Sequence, residues 1–443
     1  MPASWTAEQI IALAPDPASA KAGREQANLR KWSSLGTDEH GAWGLCQGSG
    51  KEPYQAVVDL GEPAFKCSCP SRKFPCKHGL GLLLLWASAR ASFTTAAPPW
   101  VGEWRAGRAK RLEVREAKLQ AVVEHVSDPA AEAVVAKQTA KRLQQREERV
   151  DAAVDDLTRW LNDLLRHGIT DLAARPAAYL LDPARRLIDG QAPGLARLVR
   201  ELPDVIAGAN GQQRLLERLG RIQLLASAWK RRAELPAEVV ADARLQIGFT
   251  VPQEQVLATE PVSGTWTVVG RVLSEEDHLR TARSWLISDT GRQALVLHFA
   301  AGAQPLDTSL VVGARFAGAL CYFPGVQALR ALVHSRGDAT TVSALPPGST
   351  IADAVETFAR DTVRCPWLER GCMILRAVVP LLSEGSWWLR DAAGDGLPLA
   401  ATWGPRWDLL GWSGGHPVTI CAEYDGDVLT PVSGSAAAGM LAW

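Results

Sequence analysis

Long apolar runs, net charge and several common catalytic motifs are missing from this 443-residue chain. The longest apolar run, Leu80 to Ala87, is far too short to span a bilayer, so no membrane segment is expected. No basic stretch followed by an apolar core opens the chain, so we expect no secretory signal and predict a cytoplasmic protein. Neither a phosphate-binding glycine loop nor a His-Glu-x-x-His motif occurs, which argues against the enzymes that carry them.

The charge balance restricts the partners of the chain. Lys and Arg number 48 and Asp and Glu number 48, so the formal net charge is zero. Any nucleic-acid contact must therefore come from a local patch. The 47% hydrophobic content is enough for large cores, and the length predicts roughly three domains. Eight cysteines suit a reducing compartment in which thiols and bound metals persist.

Four possible metal ligands lie close together in the N-terminal quarter. Cys67, Cys69, Cys76 and His78 form a Cys-x-Cys-x6-Cys-x-His pattern just before an apolar, helix-like run. Zn²⁺ prefers four thiolate or imidazole ligands in a tetrahedron. Residues at i and i+2 of an extended chain point the same way, and a turn into a helix can supply the second pair. We predict that all four side chains bind one Zn²⁺ in a structural site, because no position is left for an activated water.

The alternative is a set of buried thiols beside an unrelated imidazole, since free cysteine is often a core residue. The neighbouring side chains are polar and would make a poor core strand: Lys66, Ser68, Arg72, Lys73 and Lys77. Closely spaced Cys and His pairs are a strong sequence signal for zinc. The pattern therefore favours a metal site over a core.

This segment resembles the SWIM zinc finger family. The Cys and His spacing carries the resemblance, together with the strand-like Gln55–Leu60 before it and Leu80–Trp86 after it. The resemblance implies a small zinc-bound ββα-type module that is associated in its relatives with DNA or protein contacts. Further along, residues 157–165 and 187–197 are similar to an uncharacterised bacterial group that carries this finger at its N-terminus.

The rest of the chain divides into zones of different periodicity, which predict a multidomain α+β protein. We expect a zinc finger domain at 1–95, a helical domain at 100–246, and two β modules at 247–345 and 346–443. Apolar residues recur at helical spacing in the second zone, most clearly at Leu157, Trp160, Leu161, Leu164 and Leu165. One helix is expected to begin at Asp128-Pro129 and to end at Gly168.

The last two zones alternate with period two and are expected to be mostly antiparallel β structure. A Trp-rich pattern in residues 285–297 recurs in residues 387–399, which indicates two similar modules. Our prediction is a pair of OB-like barrels in tandem. Trp266, Trp285 and Trp387 are expected in their cores, because tryptophan is highly buried on average; the alternative is a nucleic-acid or peptide groove that uses exposed tryptophan.

Basic residues cluster locally on the finger and just after it. Those proposed to contact nucleic acid are Lys66, Arg72, Lys73, Lys77, Arg105, Arg108, Lys110 and Arg111, with the basic stretch continuing to Lys118. Such a set could neutralise phosphates. The alternative is a solvated helix face, since Glu103, Glu113 and Glu116 are interleaved with these cations.

Candidate catalytic groups are few. Gly411-Trp-Ser413-Gly-Gly415 matches the Gly-x-Ser-x-Gly pattern, but Pro417 and a strand-like segment follow where a nucleophile elbow needs a helix. Residues 275–278 could bind a cation and are more typical of a solvated turn. Cys365 and Cys372 lack nearby histidines and are interpreted as ordinary thiols.

We therefore predict a zinc-binding, non-enzymatic interaction protein that acts as an adaptor or scaffold in a multi-protein assembly, with no small-molecule substrate. The alternative is a DNA-binding protein that uses the basic finger and the Arg105 to Lys118 stretch. Similar bacterial proteins tend to be encoded beside AAA-type ATPases and von Willebrand-type domain proteins. The resemblance thus implies partners of those two kinds.

Overall fold

The structure, a computed structural model, describes residues 7–11, 13–14, 17–48, 52–60, 64–71, 73–110, 129–169, 172, 177–207, 211–276, 279–301, 306–437 and 439–443. Helices and several separate sheets alternate along it, so the predicted mixed α+β organisation is confirmed. The domain boundaries stay predictions. None of the described helices is long and apolar enough to cross a membrane.

The N-terminal region combines a four-stranded antiparallel sheet with helices on both faces. Its elements are α1 (Ala7–Ile11), α2 (Pro17–Gln26), β1 (Trp32–Thr37), β2 (Gly41–Cys46), β3 (Tyr54–Asp59), β4 (Phe65–Cys67), α3 (Lys77–Ser88) and α4 (residues 99–110), with 3-10 turns at Leu29–Lys31 and Arg90–Ser92. The strand order is β1-β2-β3-β4. Successive side chains of a strand face opposite sides, so each face can pack against its own helix.

The apolar run of α3 is buried all round, between the sheet and α2. Leu80, Leu82 and Leu83 are fully enclosed. Helices α2 and α3 approach closely at two glycines: a Cβ on Gly23 would lie 2.9 Å from the Leu80 Cβ, and one on Gly81 would lie 2.6 Å from the Gln26 Cβ. A helix that is apolar on every side needs such enclosure, which explains why this run lacks a polar face.

Helix α4 covers the other face of the sheet. Val101 and Trp104 pack against Trp43 of β2 in a separate small core. The Arg105 guanidinium donates two hydrogen bonds to the Asp38 carboxylate, at 2.6 and 2.8 Å, and lies 5.5 Å from the Trp43 ring. These contacts fix the start of α4 to the sheet.

A helical region follows. Its helices are α5 (Pro129–His167), α6 (Ala177–Asp189), α7 (Pro193–Arg200), α8 (Leu202–Ala207), α9 (Gly211–Lys230) and α10 (Ala237–Ile247), after which comes the short α11 (Gln253–Leu257). The predicted stop of α5 is confirmed, since Gly168 follows the helix with φ of 86°. Its predicted start at Asp128-Pro129 falls partly outside the described residues and stays a prediction. Four of the five predicted core positions of α5 are buried, but Leu165 is 55% exposed because it lies one residue beyond the buried stripe.

Aromatic rings and arginines join α5, α9 and α10. The Trp229 and Phe249 rings stack with centroids 5.2 Å apart, and Arg146 and Arg244 lie 4.1 and 4.3 Å from the Phe249 ring. The Trp229 indole N–H donates to Asp151 at 2.7 Å. Cation–π pairs of this kind are stronger where water is excluded, so this stack holds the ends of three helices together.

The first β region is a closed five-stranded barrel. Its strands are β5 (Val262–Glu276), β6 (Leu279–Ser288), β7 (Gln293–Ala301), β8 (Ala314–Tyr322) and β9 (Arg330–Thr341), in the order β5-β6-β7-β9-β8. The β7 and β9 strands are parallel, through the pairs Leu295 with Arg330 and Val296 with Ala331, and all other neighbours are antiparallel. Closure leaves this sheet without a free edge.

The second β region has the same order of strands as the first, but its sheet does not close into a full barrel. Its elements are α12 (Ile351–Arg364), β10 (Gly371–Ser383), β11 (Ser386–Arg390), β12 (Gly396–Pro398), α13 (Arg406–Ser413), β13 (Val418–Tyr424), β14 (Leu429–Ala436) and β15 (Gly439–Ala442). The sheet order is β12-β11-β10-β13-β14-β15, and one parallel bridge joins Leu399 to Leu429 where β7 meets β9 in the first region.

The expectation of two closed barrels in tandem is therefore not confirmed, because among the described strands only those of the first region form a closed barrel. The reason lies in β12, which has three residues and ends at Pro398. A proline has no backbone N–H to donate to a neighbouring strand. The contact between the third and fifth strands is thus reduced to a single bridge.

The two β regions share a buried core. Trp285 of the first region, Val432 of the second, and the Cys372 and Cys421 thiols lie in one buried cluster. A Cβ on Gly270 would lie 2.5 Å from Val432, so glycine permits the close approach. The prediction that Trp266, Trp285 and Trp387 are core residues is confirmed.

A buried carboxylate spans this shared interface. Glu423 of β13 is 4% exposed and accepts hydrogen bonds from Arg283 at 3.1 and 2.9 Å, from the Trp285 indole N–H at 2.9 Å and from Arg370 at 3.1 Å. Burial opposes the charged form, but these donors, Arg283 above all, hold the pKa of Glu423 below its usual value of 4.5. The two β regions are thus joined by an ionised group that is fully hydrogen-bonded.

We predict that Glu423→Gln destabilises the joined β regions by about 3 kcal/mol, because two arginines lose their buried counter-charge. A lowered pKa stabilises the fold above pH 4.5, and the stabilisation is lost as the pH falls through the lower value of the folded state. The free energy of unfolding of the wild type, measured with denaturant, should therefore decrease on acidification below that pH. The variant should lack this pH-dependent part of the stability.

The matched control is Glu356→Gln. Glu356 lies in the same region, and its ion pair with Arg360 is largely exposed to solvent. Exposed pairs contribute little, so the control should stay within about 0.5 kcal/mol of the wild type. Equal effects of the two substitutions would contradict the role assigned to Glu423.

Candidate metal centre

The four predicted ligands come from the end of a strand and the start of a helix. Cys67 is the last residue of β4, and Cys69 follows two residues later. Cys76 is the N-cap of α3, where its Sγ accepts the Gly79 N–H at 3.5 Å, and His78 lies in the first helical turn. The N-terminal end of a helix favours negative charge, so it supports a thiolate at the cap.

The structure brings all four ligand atoms together. They lie within 4.8 Å of one another, and the Cys67 Sγ is 3.7 Å from the His78 Nδ1. A tetrahedral site with Zn–S bonds of about 2.3 Å has edges of about 3.8 Å, so this spacing fits zinc. Three sulfurs and one nitrogen are also ligands that Zn²⁺ prefers. Cys67, Cys69, Cys76 and His78 would hold the ion, which would supply structural cross-linking.

Packing orients the histidine and closes the site. His78 is 4% exposed, and the Tyr54 ring lies 5.0 Å from its imidazole. A Cβ on Gly79 would lie 2.9 Å from the Phe65 ring, so the glycine after the histidine lets α3 reach the end of the sheet. These contacts turn Nδ1 toward the thiols and explain why Cys-x-His is followed by glycine.

The close packing of the four groups shifts their pKa values in different directions. Hydrogen bonds from the Cys67 and Cys76 thiols hold the pKa of Cys69 well below its usual range. Burial disfavours the imidazolium, but hydrogen bonds to Cys69 and Cys76 outweigh it and raise the pKa of His78 to about 9. Hydrogen bonds with Cys69 and Cys76 raise the pKa of Cys67, so thiolate charge is concentrated on Cys69. A dication bound to all four groups would displace the protons that the others keep.

Comparison with known families agrees with this geometry. Residues 57–87 match the family model described as SWIM zinc finger. The N-terminal region carries a SWIM zinc finger. The matched segment contains the end of β3, all of β4, the four ligands and α3 up to its last residue. The SWIM finger predicted from the ligand spacing is confirmed.

A second match extends the SWIM relationship to the helical region. Residues 145–247 match the SWIM-associated four-helix bundle domain, and the match ends where α10 ends. Neither of these two family models covers the β regions. No curated protein and no solved structure matches this chain.

The basic residues around the SWIM finger fall into two groups. Lys66, Lys73, Lys77 and Lys110 are exposed, whereas Arg105 is paired with Asp38, and Arg108 lies 3.7 Å from Asp59. Arg72, Arg111 and residues 112–118 lie outside the described residues. The two paired arginines thus bind carboxylates of the N-terminal region itself.

The remaining residues considered as catalytic or cation-binding groups are Ser413, Cys365, Cys372 and residues 275–278. Ser413 ends helix α13, is buried, donates a hydrogen bond to the Leu410 carbonyl at 3.1 Å and accepts one from the Gly415 N–H. A helix precedes it, where a nucleophile elbow has a strand. Cys365 and Cys372 are both buried. Of the predicted turn at 275–278, the last two residues lie outside the described part of the chain.

Sequence reasoning missed the side chains that surround the metal ligands. Tyr54 packs on His78, and Ala18, Ser19 and Ala22 of α2 line a cavity beside the finger together with Lys77. Helix α2 precedes the motif by many residues, and small side chains such as these carry no sequence signal. The packing of α2 against α3 brings them to the site.

We predict about one zinc ion per chain and expect Cys76→Ser to lose it, because the remaining three ligands leave the tetrahedron incomplete. Metal analysis of the purified protein measures both. The finger should unfold in this variant, since the ion supplies much of the folding free energy of its ligand loop. Zinc retention should also fall on acidification, because protons compete for the thiolates and the imidazole.

The matched control is Cys46→Ser. Cys46 is a buried thiol on β2 of the same sheet, and it is not one of the four ligands. Its substitution should leave the zinc content unchanged. Equal zinc content in wild type and Cys76→Ser would contradict the assignment.

Proposed function

We propose that this protein is a zinc-stabilised, non-enzymatic interaction protein that acts as an adaptor in a multi-protein assembly. The observation that carries the proposal is the closed ligand set. Cys67, Cys69, Cys76 and His78 would fill a tetrahedral ion, which leaves no coordination position for a substrate or an activated water. A structural zinc site of this kind stabilises the fold of the finger, and the finger surface would then act by binding another protein.

The burial of α3 favours a protein partner over DNA. A helix that reads the major groove needs an exposed face with side chains that reach base edges. From His78 to Trp86 every residue of α3 is buried. This helix therefore has no face to place in a groove, which removes the most direct means of sequence-specific recognition.

The distribution of cations points the same way. A DNA-binding surface needs free cations that converge on one face. Arg105 and Arg108 instead bind carboxylates of the β1–β3 sheet region. These two arginines of α4 therefore contribute little free charge to a phosphate track.

We further propose that both β regions are OB-like barrels that offer a second contact surface. In the first region β5 lies between β6 and β8, and β7 pairs with β9 in parallel. In the second region β10 lies between β11 and β13, and a parallel bridge joins the end of β12 to β14. At one end of the second region, Trp407 is 67% exposed and packs edge-on against Trp387, and Leu382 is 50% exposed beside it. An exposed apolar patch of this kind fits a protein contact.

The partner kinds implied by the family resemblance, AAA-type ATPases and von Willebrand-type domain proteins, are part of this proposal. So is a cytoplasmic location. A partner with separate contacts to the finger and to the Trp407 patch would meet two surfaces on one chain, which is the arrangement a scaffold requires.

We predict that the full chain co-purifies with partner proteins from its native host, and that single substitutions remove different partners. Cys76→Ser should lose those that bind the finger, and Trp407→Ser those that bind the second β region. Mass spectrometry after mild lysis identifies them, and Trp407→Phe, which keeps the apolar ring, is the control. Recovery of the intact chain alone would contradict the adaptor proposal.

DNA binding is the second candidate, supported by the exposed Lys66, Lys73 and Lys77. We expect no duplex binding at physiological salt. An electrophoretic shift titrated against salt tests this, since each neutralised phosphate adds about 0.9 to the slope of log affinity against log salt. Tight binding with a steep slope, lost in a triple Lys→Gln variant, would favour the DNA candidate instead.

A further inference from the structure

Two of the eight cysteines are reachable from solvent, and both belong to the set of metal ligands. All eight lie in the described part of the chain; Cys67 and Cys69 are partly exposed, and the other six are buried. Every cysteine outside the ligand set is therefore enclosed in a core. Buried thiols are usually inert, whereas partly exposed thiolates react. A reagent that arrives from solvent thus meets the metal ligands first.

A cavity gives access to one of these two ligands. It lies between helix α2 and the ligand loop (residues 67–78), and Cys69 lines it, whereas Cys67 is not among its lining residues. Its volume is about 550 Å³, far more than the roughly 30 Å³ of a water molecule in the liquid. Ala18, Pro70 and Ser71 also line it and are exposed, so the cavity opens to solvent. A small dissolved molecule can therefore approach Cys69 by this route.

Metal binding keeps Cys69 in its reactive form. A thiol that ligates zinc is deprotonated, and the thiolate is the form of cysteine that attacks an oxidant. Two further sulfurs, those of Cys67 and Cys76, belong to the same cluster, whose ligand atoms lie within 4.8 Å of one another. An oxidised Cys69 would thus have a second thiol beside it. Thiolate character, access and a neighbouring thiol are the features that redox-sensing cysteines combine.

We propose that Cys69 is a site of oxidation by peroxides, and that its oxidation forms a disulfide with a second ligand thiol and releases the zinc. The inference rests on the zinc-bound finger of the proposed function and adds a means of regulating it. It does not depend on the nature of the partner. The substrate class is a hydroperoxide, of which hydrogen peroxide is the simplest member.

The reaction has two steps. The Cys69 Sγ attacks one peroxide oxygen, so that an S–O bond forms, the O–O bond breaks and hydroxide leaves. The thiolate of Cys67 or Cys76 then attacks the oxidised sulfur, so that the S–S bond forms and a second hydroxide leaves. Two protons from solvent convert both hydroxides to water. Two thiolates are thus oxidised by two electrons while one hydrogen peroxide is reduced to two waters.

The disulfide removes half of the ligand set. One sulfur and one imidazole nitrogen remain, which is too few for a tetrahedral zinc site made by the protein alone. The end of β4 and the start of α3 then lose the metal that joins them. Reduction of the disulfide restores the ligands, so the change is reversible. Oxidation would therefore remove the binding surface of the finger until the thiols are regenerated.

A second pair of thiols is the competing target. The Cys372 and Cys421 Sγ atoms lie 3.4 Å apart in the core that the two β regions share. A disulfide of about 2.05 Å between them needs only a small movement of the sulfurs. Both thiols are buried, however, so the β structure must open before an oxidant reaches them. Access therefore favours the finger as the first site of reaction.

Treatment of the zinc-loaded full chain with hydrogen peroxide tests the inference. A chromogenic chelator records zinc release, thiol titration counts the cysteines lost, and mass spectrometry of the digested chain locates the disulfide. We expect zinc release together with the loss of two of the eight thiols. The disulfide should join Cys69 to Cys67 or Cys76, and dithiothreitol should restore zinc binding.

Two matched variants test the route to Cys69. Ala18 is exposed on α2 and lines the cavity, so Ala18→Phe should narrow the path without touching a ligand, and zinc release should slow. Ala87→Phe makes the same change at an exposed position of α3 that is not among the lining residues, and release should keep the wild-type rate. Surface substitutions usually alter stability little, and circular dichroism and zinc content before oxidation check both variants.

The possible results separate this inference from the proposals on which it builds. A Cys372–Cys421 disulfide with the zinc retained would overturn it, and so would equal rates of zinc release in Ala18→Phe and Ala87→Phe. A chain that takes up no zinc would overturn the metal assignment as well. A zinc-loaded chain that resists peroxide would overturn the oxidation site alone. The adaptor proposal is decided separately, by the co-purification of partners.

Discussion

Charge balance among three thiols and one imidazole is the constraint on which the N-terminal region depends. Packed within 4.8 Å of one another, these groups cannot all keep their ordinary protonation, and a dication resolves the conflict. Once it is bound, the end of β4 and the start of α3 are held together. Helix α3 then lies across the sheet, and α2 closes over its outer side through Gly23 and Gly81.

The finger is connected to the rest of the chain by buried groups. Its core includes Val311 from the segment before β8 of the barrel. The helical region in turn packs against the second β region, where Trp367 enters the helical core and Arg197 pairs with Glu369. Together with Glu423 between the two β regions, these contacts join the finger, the helical region and the β regions to one another.

The features that could be predicted best from the sequence are those encoded by residues close together in the chain. The four metal ligands lie between Cys67 and His78, and period-two and helical patterns reveal strands and helices for the same reason. Long-range packing was not predictable: Glu423 and its partner Arg283 are 140 residues apart, and neither has a local signal of pairing. Likewise, the single bridge that replaces a ladder in the second β region depends on the length of β12.

Zinc and the cavity are linked, because the cavity wall is made of the ligand loop. Cys69 and His78 are themselves lining residues, and Lys77 lies between two ligands. If the ion is lost, the loop loses its cross-link between the end of β4 and the start of α3. A partner that binds the folded finger would then stabilise the metal-bound form, since whatever binds one state shifts the equilibrium toward it. Metal affinity and partner affinity would thus rise and fall together, which would make docking conditional on zinc.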